Sequence, residues 1–195
     1  MKTFVIPAAL AASMLAPAAA SAQALSPAVI AVVDLEKVTA DCNACKSAKA
    51  ALTSQVNALQ AREKALSAPL ETEGKAIQAA VDALKGKDPD AALQARATAW
   101  QQKRQQAQQE LARQDNQIKR NQAYISQQIG TKLGPIYQQV MQRRGANVMI
   151  EMGNTLATGA TLDVTNDVLT ALNAALPSVQ TTAPAAPQQT KPQGR

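Results

Sequence analysis

The distribution of apolar residues divides the chain into stretches of different period. Val29 to Leu35, VIAVVDL, is a short β-branched apolar run of the length and composition of one buried strand. From about Ala44 the period changes. Leu52, Val56, Leu59, Leu66, Leu70, Ile77, Ala80 and Leu84 fall on alternating steps of four and three, with Glu63 and Glu73 in the two remaining seam positions. This spacing predicts a long helix whose seam packs on another helix. The segment Lys85-Gly86-Lys87-Asp88-Pro89-Asp90 reads as a turn, with Asp88 as helix cap and Pro89 in a first helical position. A second seam follows at Leu93, Ala97, Trp100, Arg104, Ala107, Leu111, Gln114, Ile118, Asn121 and Ile125. Two long heptad helices joined by a short turn form an antiparallel hairpin.

Beyond Ile125 the apolar spacing slips to Ile129, Leu133, Ile136 and Val140, and Gly130, Gly134 and Pro135 predict a kink or stutter. Pro69 should likewise bend the first long helix. Gly145 ends the return helix, and Asn147 to Met152 has the pattern of a second strand. Thr155 to Thr161 reads as loop or a short third strand, and Asp163 or Thr165 can cap a last helix reaching about Leu176. From Pro177 the sequence PSVQTTAPAAPQQTKPQGR predicts disorder. The fold class expected is therefore α+β: a small β-rich body formed by residues 23–43 and 145–176, a helical hairpin over 44–144 with its tip near 85–90, and a disordered Pro/Gln-rich tail over 177–195. So small a body, with open strand edges, calls for oligomerisation.

The N-terminus sets the compartment. MKTFVIPAALAASMLAPAAASAQA has an early lysine, a proline-broken alanine-rich run and small residues at its end, which reads as a secretory signal peptide (residues 1–22) cut after Ala22 or, alternatively, Ala24. The expected location is an oxidising, exported space. There the two cysteines, Cys42 and Cys45, are most simply a disulfide, with free thiols, intermolecular bonds and a catalytic dithiol as open alternatives. A thioredoxin-like site would need further βαβ structure, which the heptads leave no room for.

Composition narrows the chemistry. The chain has no histidine, 2% aromatic residues and no phosphate-binding glycine motif, so triads, His-based metal sites and nucleotide cofactors are not expected. Neither catalysis nor a cofactor is anticipated. The formal net charge is +6, one unit of which, Lys2, would leave with the leader. Charge concentrates on the return helix, where nine basic residues from Arg96 to Arg144 face only Glu110 and Asp115. Such a helix attracts acidic polypeptide segments or anionic head groups, whereas no Lys/Arg run of the kind that binds nucleic acid is present. A solvated helix face is the plainer alternative.

The order VIAVVDLEKV, long heptad helix, KGKDPD tip, basic Gln-rich return helix and NVMIEMGNTLATGATLDVTNDVLTALNAAL, preceded by a leader, resembles the OmpH/Skp family of periplasmic chaperones. The similarity spans nearly all of the chain between leader and tail. It implies a jellyfish-like homotrimer whose arms surround a cavity and hold unfolded outer-membrane β-barrel proteins without ATP, preventing their aggregation. It also implies a lipopolysaccharide patch on the return helix, which here falls near Lys103, Arg104 and Arg113; with Lys119 and Arg120 of the same basic helix they are the candidate client or lipopolysaccharide contact. It assigns no role to Cys42 and Cys45. An exported thiol-disulfide protein using the CNAC motif and a purely structural envelope coiled coil are the competing readings.

Overall fold

The computed structural model describes residues 26–185, so the leader and residues 186–195 lie outside the described residues. The elements in order are β1 (Ile30–Val33), α1 (Leu35–Asp41), α2 (Asn43–Ala83), α3 (Ala91–Arg144), β2 (Val148–Glu151) and α4 (Thr165–Ala175). The class is α+β, with two long helices and a two-stranded sheet.

β1 and β2 pair in parallel, with Ile30 opposite Val148 and Val33 opposite Glu151. In place of a third strand, a single bridge joins Val32 to Asp163, and the Val164 amide donates to the Val32 carbonyl at 2.8 Å. The apolar core lies where α1, the start of α2, the end of α3 and α4 meet this sheet. Val38, Cys42, Val140, Val168 and Leu172 are there withdrawn from water altogether. Polar side chains fasten the joints. Thr165 Oγ1 accepts from the Asp34 amide at 2.9 Å, and Asn173 Oδ1 accepts from the first amide of α2, Asn43, at 2.8 Å. Arg144, in the last turn of α3, pairs with Asp167 of α4 at 2.6 Å.

Helix α1 begins at the last residue of the expected strand, Leu35, and continues through residues 36–41, for which the sequence reading gave no element. Asp34 creates it by accepting from the Lys37 amide at 2.8 Å, which satisfies an otherwise orphaned helix-end donor. The chain straightens at Cys42, whose φ/ψ of −60/134 separates α1 from α2.

α2 and α3, of 41 and 54 residues, form the antiparallel hairpin. At 1.5 Å per residue they extend about 60 and 80 Å. Each seam position expected on α2 is half-buried except Val56, which is 39% exposed, and Glu63, which faces water. On α3 the seam is half-buried or buried at every expected position but Arg104. The tip reverses through Lys85 (φ 50) and Gly86 (φ 89), and α3 starts later than expected. Asp90 rather than Asp88 caps it, accepting from the Leu93 amide at 2.8 Å, so Pro89 stays outside the helix.

Both long helices are continuous through the residues expected to bend them. α2 passes through Pro69, and α3 runs unbroken through Gly134 and Pro135. Leu133, Ile136 and Val140 on either side of Pro135 are buried in the body, and this tertiary burial outweighs the loss of one helical hydrogen bond.

The tail also departs from expectation. Residues 179–183 are fastened to the hairpin although Gln180 and Thr182 are exposed: Val179 packs on the core, and the main chain of Gln180, Thr181 and Ala183 is hydrogen-bonded to α2 and α3. A segment without large apolar residues is held here by polar main-chain contacts, which a hydropathy pattern does not register.

Candidate functional site

Where the hairpin enters the body, the apolar stripes of its two helices separate. Ala48, Leu52 and Val56 of α2 and Ile125, Ile129 and Leu133 of α3 line an open groove of about 790 Å³. Thr39, Cys45, Gln122, Ser126 and Gly130 also line it. The slip of apolar spacing beyond Ile125 was the signal for this groove.

Further out, three devices hold the arms together. The single tryptophan, Trp100, donates from its indole nitrogen to the Leu70 carbonyl at 2.7 Å, and its ring lies over Gly74, where a Cβ would approach Cζ2 to 3.1 Å. Gly74 thus has a packing reason within a helix interior. The indole serves the hairpin and also carries the Arg104 guanidinium, 5.0 Å from its centroid. The second and third devices are two-pronged ion pairs. Arg62 Nε and Nη2 donate to Glu110 at 2.7 and 3.1 Å, and Arg96 does the same to Glu73 at 2.6 and 3.0 Å. These guanidiniums hold the Glu110 and Glu73 carboxyls below their ordinary range by hydrogen bonding and charge. The seam carboxylate Glu73 is therefore neutralised across the hairpin.

The five basic residues expected to form a contact do not gather. At about 100° per residue, Lys103 and Arg104 flank the seam on opposite sides, Lys119 is turned to one flank, and only Arg113 and Arg120 share a direction, away from the seam. Lys119 is engaged by Asp115 at 2.8 Å, Arg104 by Trp100 and Arg120 by the Gln117 amide oxygen. Their charge acts as a diffuse field along α3.

Cys42 and Cys45 are joined by a disulfide, with an S–S distance of 2.08 Å. It sits where α1 gives way to α2, and Cys42 Sγ accepts from the Cys45 amide at 3.0 Å. Cys42 is fully buried and Cys45 nearly so. Among the described residues no group of three or more His, Cys, Asp or Glu side chains is placed to hold a metal ion, and no helix is long and apolar enough to cross a membrane.

A second line of residues escaped the sequence reading. Gln117, Asn121, Tyr124 and Gln128 recur at helical spacing on the flank of α3 opposite the open groove, and all four touch the C-terminal segment. Asn121 is almost completely buried, yet both polar atoms of its amide are partnered, Nδ2 donating to Gln55 Oε1 at 2.8 Å and Oδ1 accepting from Gln117 at 2.7 Å. The repeat of amide side chains was visible in the sequence, but Asn121 alone was read, as a polar seam residue.

This arrangement, a small α/β body carrying a long two-helix arm, has counterparts. The family model described as outer membrane protein (OmpH-like) matches residues 29–172, most of the chain. The chain belongs to the OmpH-like family. A crystal structure of a Caulobacter crescentus CB15 protein, described as an OmpH-like outer membrane chaperone, is similar in fold, with a TM-score of 0.68 over 85% of this chain and 96% of that one at 19% identity. No curated protein matches the sequence. Both findings place the OmpH-like architecture on the strand, hairpin and C-terminal block together. The cysteine bridge and the docked C-terminal segment are described from this chain alone.

Proposed function

We propose that this OmpH-like protein is an ATP-independent periplasmic holdase, a homotrimer whose arms enclose unfolded outer-membrane β-barrel proteins and prevent their aggregation. The observation that carries this reading is the wetness of the arm: between residues 49 and 106 no residue is fully buried, and an open apolar groove lies at the arm's base. An arm without a dry core can bend around a client, and half-exposed apolar surface provides weak contacts that release without fuel. Family membership supports a chaperone role.

Trimerisation is supported by the body's surface. Ile30 and Val148, register partners on the sheet, are 39% and 38% exposed, Val29 and Leu162 are also exposed, and Leu156 is wholly so. Two further copies would cover this apolar surface and the free edge of β2. The positive field of α3 would draw in acidic client segments through many screened contacts, with anionic membrane surfaces or lipopolysaccharide as weaker ligands of the same charge. The Cys42–Cys45 disulfide fits the oxidising compartment that the leader implies, and acts as a clamp between body and arm.

The test is dilution of a urea-unfolded outer-membrane β-barrel protein into buffer with and without the purified protein, following light scattering, alongside the solution mass of the protein alone. The reading predicts suppressed scattering at near-stoichiometric trimer and a mass of three chains. Unchanged scattering would leave a structural coiled coil, and a monomer at micromolar concentration would remove the cavity.

A further inference from the structure

The C-terminal segment is attached to the hairpin in an unusual way. Gln128 accepts from the Gln180 amide at 3.0 Å and donates to the Gln180 carbonyl at 2.9 Å. Seven residues earlier on the same helix, Asn121 accepts from the Ala183 amide at 2.8 Å, while Gln117 donates to the Ala183 carbonyl at 3.4 Å. From the other helix Gln55 donates to the Thr181 carbonyl at 3.3 Å. Five main-chain groups of the segment are thus paired by four side-chain amides. Among the described residues, the only bond to one of its side chains joins Tyr124 Oη to Gln180 Oε1 at 3.2 Å.

A side-chain amide carries the donor and acceptor of a peptide group, so a row of them pairs with a polypeptide much as a neighbouring strand does. What they read is common to every residue except proline. The docked segment adds little specificity, because Gln180 and Thr182 are exposed and Val179 is its one packed apolar side chain beyond Leu176. Its hold consists of exposed or half-exposed neutral hydrogen bonds, each of small net worth, so it can exchange. Asn121 is also bonded to Gln117 and to Gln55, which keeps these three amides ordered whatever segment lies on them.

We infer that Gln55, Gln117, Asn121 and Gln128 form a binding site for unfolded polypeptide that reads main-chain amides, that residues 179–183 occupy it in cis, and that a client segment enters by displacing them. The identity of the incoming chain rests on the holdase reading. The site itself does not.

The experiment uses the full chain and a fluorescently labelled peptide PSVQTTAPA, the sequence of residues 177–185, followed by anisotropy. Three proteins are compared: the unaltered chain, a tail variant Q180P/A183P that loses both docking amides, and the same tail variant carrying Q117A/Q128A. The tail variant should bind the peptide several-fold to about a hundredfold more tightly than the unaltered chain, since each of the two hydrogen bonds lost from the competitor is worth up to about tenfold. The added Q117A/Q128A pair should abolish the gain, and peptide N-methylated at the residues equivalent to 180 and 183 should not bind. An unfolded β-barrel protein should release the labelled peptide. Equal binding by the unaltered and tail variants, or full binding of the N-methylated peptide, would overturn the site, and failure of the unfolded protein to compete would overturn displacement. Scattering assays on the same proteins separate the two readings. Suppressed scattering without the peptide pattern removes the site alone, and the peptide pattern without suppression removes the holdase alone.

Discussion

The two ends of α3 obey different rules. From Ile125 to Val140 it contributes Ile125, Leu133, Ile136 and Val140 to buried surface, whereas from Ala91 to Leu111 only Ala107 is buried. The same helix is a core element at one end and a wall at the other. In the body, apolar side chains leave water completely and stability comes from burial at about 25 cal/mol per Å². In the arm they leave water by halves, and Trp100, Arg62–Glu110 and Arg96–Glu73 set the distance between helices. A buried anchor and a half-wet arm are thus built from one continuous secondary structure, which is what the proposed holding of a shapeless client would require.

The contrast can be broken most severely from the body. Leu172 is fully buried at its centre, and Leu172→Ala should cost about 3 kcal/mol, the usual range for a buried leucine truncation, read as a lower urea midpoint by circular dichroism. An effect below about 1 kcal/mol would mean that this core is not the anchor. Trp100→Ala should cost less, about 2 kcal/mol, because the ring is only half-buried, and its effect should be local. Amide exchange should rise around Leu70 and Gly74 while the body is unchanged. Gly74→Val should have the same signature with a red-shifted emission from the single tryptophan, since a side chain at 74 occupies the ring's place.

Reducing the Cys42–Cys45 disulfide should have a smaller effect, at most about 2 kcal/mol, because the loop it closes is so short. The change should appear at the start of α2 and in the body. Thiol exchange with a model dithiol that was lost on Cys42→Ser would instead favour the redox reading of CNAC.

The smallest effect is expected from acid, and it should fall on the arm. The Glu73 and Glu110 carboxyls are held below the ordinary value of 4.5 by Arg96 and Arg62. A carboxyl whose folded value is depressed stabilises fully above its unfolded value, and that stabilisation is lost as pH falls through the folded value. The arm should therefore loosen below about pH 4.5, with tryptophan emission shifting before the body unfolds. Both pairs are exposed, so added salt at neutral pH should produce a weaker version of the same change.

Much of this was legible in the sequence, for identifiable reasons. The seam from Leu52 to Leu84 and from Leu93 to Ile125 was readable because a hairpin repeats one simple constraint many times. Arg104 is the exception: it stacks on Trp100 and turns out of the seam. Both strands were readable from β-branched runs. That α3 continues as one helix through Gly134 and Pro135, where a kink or stutter was expected, follows from burial of Leu133, Ile136 and Val140, tertiary information that local propensity lacks. Helix α1 depends on one cap, Asp34, within a run that also reads as strand. The docked tail was invisible for a different reason. Main-chain pairing with Gln55, Gln117, Asn121 and Gln128 requires nothing distinctive of residues 177–185, and their composition is that of a solvated segment.

The most direct measurement is native-state hydrogen exchange along the chain, free and with an unfolded outer-membrane β-barrel protein bound. A rigid anchor with a deformable arm predicts slow exchange for the body helices α1 and α4 and the end of α3, fast exchange between residues 49 and 106, and a gain in protection on binding confined to the arm and its base. Uniform protection of arm and body in the free protein, or client-induced protection in the body alone, would contradict it.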